Sequence, residues 1–423
     1  MTTVRNTRAL QAPLARPLAG SNTQHTPLAL VAWAALCIAV NVGLSRFTYG
    51  IMLPGLKRDL GLDYATAGLL HAAHLGGYML GTLAVPLLGK RIDLRSVMRR
   101  AHWLVAFGAA LSALAPAASP AGPYILGLGR FATGFGGAAA VVAVFVTTLA
   151  AIPARARPGV SASVWGSVGA VVVLTALAAP HLARSAGGDW RLVFWLTSIL
   201  AMGLALHIPA TVPSSVAAQP GAGTPEADAK GARWSFLSAG YLCFGIGYIG
   251  FATFLGSRLL DAQVRPGLLG ITWAVFGFAM MAGAAAAVLM LRSPSLARYT
   301  LVAASAAGLV GAMVATSGSA GAAVAAAALV GSSVAATPAI ITAYARQRCS
   351  GQAYARVFGY LTAVAGLGQW VGPALTGVLA DRLGTQAVPV VTLALYAGAT
   401  VCALLDSRFG TRPASVRGKV GEV

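Results

Sequence analysis

Two arginines and two histidines stand where the sequence otherwise offers only apolar and small residues. Arg46 interrupts the run VAWAALCIAVNVGLSRFTYGIML at 31–53, which is long enough to cross a hydrocarbon core of about 30 Å. Its guanidinium does not give up its proton, so inside a bilayer it requires a partner on a neighbouring helix, a water-filled cavity or an anionic ligand. We expect Arg46, with Tyr49 on the same face, to line an internal pathway; the alternative is a structural arginine capped by tyrosine hydroxyls and backbone carbonyls. Arg130 poses the same question about 12 Å from the end of its helix, at 1.5 Å per residue. His71 and His74 are three residues apart and share a helix face, which continues to Tyr78. Imidazole, with an ordinary pKa of about 6.5, changes charge around neutrality, so the pair is a candidate proton relay, weighed against packing as structural histidines.

Such groups need a scaffold that carries them across a membrane, and the composition supplies one. Of 423 residues, 57% are hydrophobic and only 9% charged, with a mean hydropathy of +0.75, against about 25% charged in soluble domains. A net charge of +20 would suggest nucleic acid in a soluble protein. Here the basic residues cluster on alternate connections between apolar runs: of 30 Lys and Arg, 21 fall on one side and 7 on the other, with Arg46 and Arg130 inside helices. This asymmetry excludes a nucleic-acid reading and places both termini in the cytoplasm. Cys37, Cys243, Cys349 and Cys402 have no paired spacing for zinc or a disulfide framework, and no metal or cofactor is expected.

Apolar runs fall at 28–54, 64–88, 101–118, 122–150, 159–183 and 190–212, then at 234–259, 266–291, 296–318, 320–345, 352–380 and 386–405. The expected fold is all-α and integral to the membrane, with twelve transmembrane helices in two pseudo-symmetric six-helix bundles, 28–212 and 234–405. A cytoplasmic tail (1–27), a linker rich in Pro, Gly, Ala and Ser (213–233) and a second cytoplasmic tail (406–423) complete the organisation. The first tail is basic and lacks acids, which superficially fits a transit peptide; the positive-inside bias favours a disordered cytoplasmic segment. At an offset of 199, Tyr49 meets Tyr248, Gly68 meets Gly267, Arg157 meets Arg356 and Gly169 meets Gly368, as a duplicated six-helix unit requires. Gly245-x-Gly247-x-x-Gly250 spells a dinucleotide fingerprint but lies inside an apolar span rather than after a strand, so it binds no nucleotide.

Leu126-xxx-Arg130-xx-Thr133-Gly134-x-Gly136-Gly137-Ala138 resembles the fourth-helix motif of the major facilitator superfamily. Asp189-Trp190-Arg191-x-x-Phe194 is similar to the start of its sixth helix, and Gly372-Pro373-xxx-Gly377-xx-Ala380-Asp381-Arg382-x-Gly384 to the end of its eleventh. Within it, Arg46-Phe47-Thr48-Tyr49 and Tyr241-xxx-Gly245-x-Gly247-Tyr248-xxxx-Thr253-Phe254 resemble the YbfB/YjiJ-type bacterial branch. The likeness covers nearly the whole chain. One departure lies between the second and third helices, where Gly81-Thr82-Leu83-Ala84-Val85-Pro86-Leu87-Leu88-Gly89-Lys90-Arg91 keeps the family's frame and basic end but has Val-Pro in place of Asp-Arg. Gating at that mouth is therefore expected to differ.

The resemblance implies a secondary transporter in which helices 1, 4, 7 and 10 line a central cavity. Arg46, Tyr49, Arg130, Tyr241, Tyr248, Thr253 and Gln369 become candidates for the substrate pathway. Gly81, Gly89, Lys90, Arg91, Gly372, Pro373, Asp381 and Arg382 become candidates for gating. No carboxylate falls in mid-span, so His71 and His74 are the first candidates for proton coupling, with Asp59 and Asp63 behind them. The expected partners are a small solute, protons and the lipid bilayer, with the chain working as a monomer. A small anion or zwitterion suits the two arginines; export of lipophilic compounds is the alternative. A non-transporting receptor or scaffold would have no use for intramembrane arginines and a His pair, and an enzyme would need a carboxylate pair or nucleophile that the spans lack.

Overall fold

A computed structural model describes residues 28–87, 93–153, 156–184, 190–210, 212, 234–349 and 351–409. Gly89, Lys90, Arg91, Asp189, the 1–27 tail, the 213–233 linker and 410–423 lie outside the described residues. Lipid offers the backbone no hydrogen-bond partner, so each apolar run satisfies its own amides as helix. The first spanning helix, α1, is Leu28–Leu60. It is followed by α2 (Tyr64–Leu87), α3 (Leu94–Ala113), α4 (Ala121–Ala150), α5 (Arg157–Arg184) and α6 (Trp190–Leu206). After the linker come α7 (Ser235–Asp261), α8 (Pro266–Arg292), α9 (Thr300–Ala315), α10 (Ala320–Arg348), α11 (Gly351–Leu383) and α12 (Ala387–Phe409).

Among the described residues, eight of these helices are long and apolar enough to cross a membrane alone, and α6 and α9 are apolar but short. The others, α2 and α3, contain the buried polar groups His71, His74 and His102. Large apolar side chains such as Phe107, Leu177 and Phe278 are bare on the outer surface, as lipid-facing positions are.

Two boundaries differ from the apolar pattern for identifiable reasons. Helix α3 begins at Leu94 rather than near 101, because Asp93 caps it, accepting the Arg95 amide at 3.1 Å. Its first turns carry exposed Arg99 and Arg100, which a search for apolar residues discards. Helix α12 continues past 405 to Phe409, because buried Asp406 is neutralised by Arg348 at 2.9 and 2.5 Å.

The packing repeats with a shift of six helices. In the first half α2 lies on α4, and α3 on both α4 and α6; in the second half α8 lies on α10, and α9 on both α10 and α12. The halves meet along α2–α11, its counterpart α5–α8, and the α1–α7 crossing.

Helix α1 is not uniformly α-helical. Between Leu28–Ile38 and Thr48–Leu60 it winds as a π-helix over Ala39–Phe47, closed by a Thr48 N–H bond to the Gly43 carbonyl. This segment carries Asn41, Ser45 and Arg46, all buried. π turns accommodate an extra residue at a cost in packing and concentrate at functional sites.

Candidate functional site

The two halves are latched together at one end. The Asp381 carboxylate, at the end of α11, accepts the first amides of α2, Tyr64 N–H at 2.8 Å and Ala65 N–H at 2.7 Å. A carboxylate at a helix N-terminus satisfies orphan donors and matches the helix dipole. The Tyr64 hydroxyl donates to Asp261 of α7 at 2.5 Å, and Lys57 lies 3.5 Å above the Tyr64 ring. Beneath this latch α1 and α7 touch backbone to backbone: a Cβ on Gly50 would sit 2.2 Å from the Ala252 carbonyl oxygen. Gly68 of α2 meets the Pro373 carbonyl oxygen of α11 at the same distance. Of the gating candidates, Asp381 and Pro373 thus meet the opposite half at this end, and Gly372 packs within its own half against Ile246 of α7. Gly81 packs on Phe135 of α4.

At the floor of the closed end Arg46 reaches from the first half into the second. Its Nη2 donates to the Tyr248 hydroxyl of α7 and to Gln369 Oε1 of α11 at 2.5 Å. The guanidinium carbon lies 5.5, 5.8 and 5.9 Å from the rings of Phe47, Tyr78 and Tyr248. Tyr248 is stacked on Phe244, which is stacked on Tyr241, an aromatic ladder along α7. No carboxylate pairs with Arg46 among the described residues; neutral oxygens and ring faces hold it, and its Nε is buried without a hydrogen bond. Cation–π contacts and neutral acceptors reduce the cost of the charge without cancelling it.

Arg130 is fully buried in the first half. One Nη1 bond goes to the Ser45 carbonyl, and the guanidinium lies 4.6 Å over the Tyr49 ring. Among the described residues its Nε and Nη2 have no hydrogen-bond partner. Tyr49 donates to the Ala67 carbonyl at 2.7 Å and its ring sits 4.7 Å from His71. The two pathway candidates of α1 are therefore separated: Arg46 spans the seam, whereas Tyr49 supports Arg130 and His71 inside the first half.

The two histidines stand 6.4 Å apart and point to different partners. His71 Nδ1 meets Thr253 Oγ1 of α7 at 2.8 Å, and His74 Nδ1 meets Thr133 Oγ1 of α4 at 3.2 Å. Each threonine hydroxyl also donates to a backbone carbonyl of its own helix, Ile249 and Arg130 respectively. With its single proton spent there, each threonine accepts from histidine, so both rings carry Nδ1–H and, when neutral, a bare Nε2. Both Nε2 atoms are buried and have no partner among the described residues.

The acidic candidates lie elsewhere. Asp59 accepts from Trp190 Nε1 at 2.9 Å at a helix end. Asp63 caps α2, and hydrogen bonds from the Thr66 side chain and Thr66 N–H hold its carboxyl below the usual carboxylate range. Arg382 ends α11 as an exposed residue. Three further residues join the polar interior that the sequence reading left out. His102 Nδ1 donates to the Met98 carbonyl at 2.9 Å and its Nε2 accepts from Asn41 at 3.1 Å; Ser45 Oγ is buried without a partner among the described residues. His102 lies in the 101–118 run and was findable as a third buried histidine; Asn41 and Ser45 were findable only as polar residues flanking Arg46.

Fold and interior define two packed helical halves around a polar seam. The sequence matches the family described as "Uncharacterised MFS-type transporter YbfB" over residues 38–407, and the chain belongs to that family of the major facilitator superfamily. No curated protein matches the sequence. Among solved structures it is similar to a bacterial homolog of the human lysosomal transporter Spinster, in an inward-facing and occupied conformation. That comparison has a TM-score of 0.68 at 15% identity and covers 93% of this chain and 100% of the other. It is likewise similar to the nucleoside transporter NupG, in a mutant form, with a TM-score of 0.69 at 12% identity, covering 89% and 98%. At these identities the likeness speaks for the fold alone.

Proposed function

We propose that the protein is a proton-coupled secondary transporter of a small organic anion or zwitterion, working by rocking of its two halves about the seam. The observation that carries this reading is the Arg46 guanidinium, held between the halves by Tyr248 and Gln369 and, among the described residues, without a carboxylate partner. A carboxylate or phosphonate would pair with its fork in two-point geometry, and a lipophilic cation would be opposed by it. His71 and His74 supply the proton step, because the carboxylates Asp59 and Asp63 sit at helix ends and serve other contacts there. The latched end faces outward by the positive-inside bias, so the closed state opens toward the cytoplasm of a bacterial inner membrane, with the bilayer and a solute as its partners and one chain as the working unit.

A thermal-shift screen of purified protein against anionic, zwitterionic and cationic metabolites tests the substrate class. Stabilisation is expected from anions or zwitterions and is lost in both Arg46→Lys and Arg46→Gln, since Lys keeps charge but not the fork. A preference for lipophilic cations that persists in Arg46→Gln would overturn the reading in favour of export of lipophilic compounds. Orientation is tested separately: single cysteines at Ser215 and Ser415 should resist a membrane-impermeant thiol reagent applied to intact cells. Labelling there would invert the topology.

A further inference from the structure

Resting on the reading of Arg46 as the anion site, we infer that Gln369 is a built-in competitor for that site: an arriving carboxylate or phosphonate takes the Arg46 fork by displacing the Gln369 side-chain carbonyl. A guanidinium offers two edges for two-point binding, Nε with Nη2 and Nη1 with Nη2, so Nη2 belongs to both. That nitrogen has two hydrogens, and it donates to two oxygens of the opposite half, the Tyr248 hydroxyl and Gln369 Oε1. Both edges are therefore engaged by the chain itself. Since Arg46 has only donors to give, the Gln369 amide turns its oxygen toward it, in the place that one oxygen of a bound anion would take.

Of the two acceptors, Gln369 is the one that can leave. Tyr248 is 4% exposed, and its ring is stacked on Phe244 at 4.7 Å. Its oxygen accepts from Arg46 and its own proton has no acceptor among the described residues, so it can stay in place and donate to the anion. Gln369 is only partly buried and its side chain is flexible, and an amide oxygen left facing an anion would repel it. The α11 backbone beside it does not yield: a Cβ on Gly368 would lie 2.7 Å from the Leu242 carbonyl oxygen of α7. The side chain therefore makes the exchange, and two consequences attach to it. Apparent affinity for the solute is lowered, because only chains with Gln369 turned away are competent to bind, and release is eased to the same degree. The bond that breaks runs from α1 to α11, so binding at Arg46 loosens the α11 side of the seam.

The test is the dissociation constant for acetate and for methylphosphonate, read from thermal shifts of the purified protein in wild type, Gln369→Met and Gln369→Glu. Met removes the competing oxygen and keeps the bulk, so both anions should bind about tenfold more tightly, the worth of one charge-assisted hydrogen bond, while the protein without anion melts at a lower temperature. Glu supplies an internal carboxylate, so both anions should bind more weakly by about tenfold or more, while the protein without anion melts at a higher temperature. Affinity and melting temperature moving in opposite directions mark a competitor; a residue that only braces the seam would not set them against each other. Asp381→Ala removes a different contact between the halves and controls for looser packing: it should bind the anions no more tightly than wild type. Unchanged or weaker binding in Gln369→Met overturns the inference, and so does equal tightening in Asp381→Ala. If Gln369→Met does not fold, Gln369→Glu decides, and binding equal to wild type there overturns it. Anion binding that is lost in Arg46→Gln but not tightened in Gln369→Met sinks the competitor alone. Absence of anion binding in both wild type and Gln369→Met sinks it together with the reading of Arg46.

Discussion

Replacing Asp406 by Asn is expected to cost about 3–5 kcal/mol of stability, the largest effect of any single polar substitution outside the seam. The carboxylate is 2% exposed and its partner Arg348 10%, and the two are joined in a two-point pair. The guanidinium also lies over Trp234 and Tyr344 at 5.7 and 5.4 Å, so little of it meets water once its counter-ion is gone. A lone buried charge is far costlier than a removed pair, so the double variant Arg348→Met with Asp406→Leu should recover most of the loss. Thermal denaturation in detergent checks both. Equal stability of Asp406→Asn and wild type would show that Arg348 is hydrated in the membrane-embedded protein and that the pair does not hold α10 to α12.

The second large effect is conformational. Gly50→Ala places a methyl group 2.2 Å from the Ala252 carbonyl oxygen and 2.9 Å from the Trp273 ring, distances that no side-chain rotation relieves because the first obstacle is backbone. Overpacking of this kind costs about 1–3 kcal/mol, and here it burdens only the state in which α1 and α7 cross closely. The population should move by about fivefold to a hundredfold toward opening at the Asp381 end. Ser257, 3% exposed at that end, is the reporter. Ser257→Cys should be protected in an otherwise wild-type chain and react with a hydrophilic thiol reagent in Gly50→Ala. Gly166→Ala, where an added Cβ meets nothing within 4 Å, should leave protection unchanged. Protection persisting in Gly50→Ala would mean the crossing does not open.

The helices were legible because lipid leaves an apolar run no other way to satisfy its backbone, and the family was legible from motifs on them. Arg46, Arg130, His71 and His74 stood out because a charge among leucines needs a reason. What they touch was not legible: Arg46 and Gln369 are 323 positions apart, and Asp381 and Tyr64 317. No local pattern encodes a contact made by folding two halves together. Sequence spacing also put Arg46 and Tyr49 on one face, where an even α-helix would keep them; the π-helical segment and the neighbours of each side chain send them to different halves. His102 escaped attention because its helix opens with arginines, so its run was read as beginning one residue before it.

The π-helical stretch Ala39–Phe47 makes the bearing of Arg46 a matter of counting rather than chemistry. A π turn holds a residue that an α turn has no place for. Rewinding the stretch as α would rotate everything on one side of it against everything on the other by about 100°, the step of one residue. Arg46, Tyr49 and the Gly50 crossing lie at or beyond it, whereas Trp33, bonded to the His207 carbonyl, anchors the other end. Helix α1 is thus a shaft with a slip joint, in which the guanidinium, the support for Arg130 and the contact surface for α7 are keyed to one angular setting. Homologous chains that gain or lose a single residue between 39 and 45 would be reset as a whole, with every amino-acid identity preserved and the polar interior dismantled.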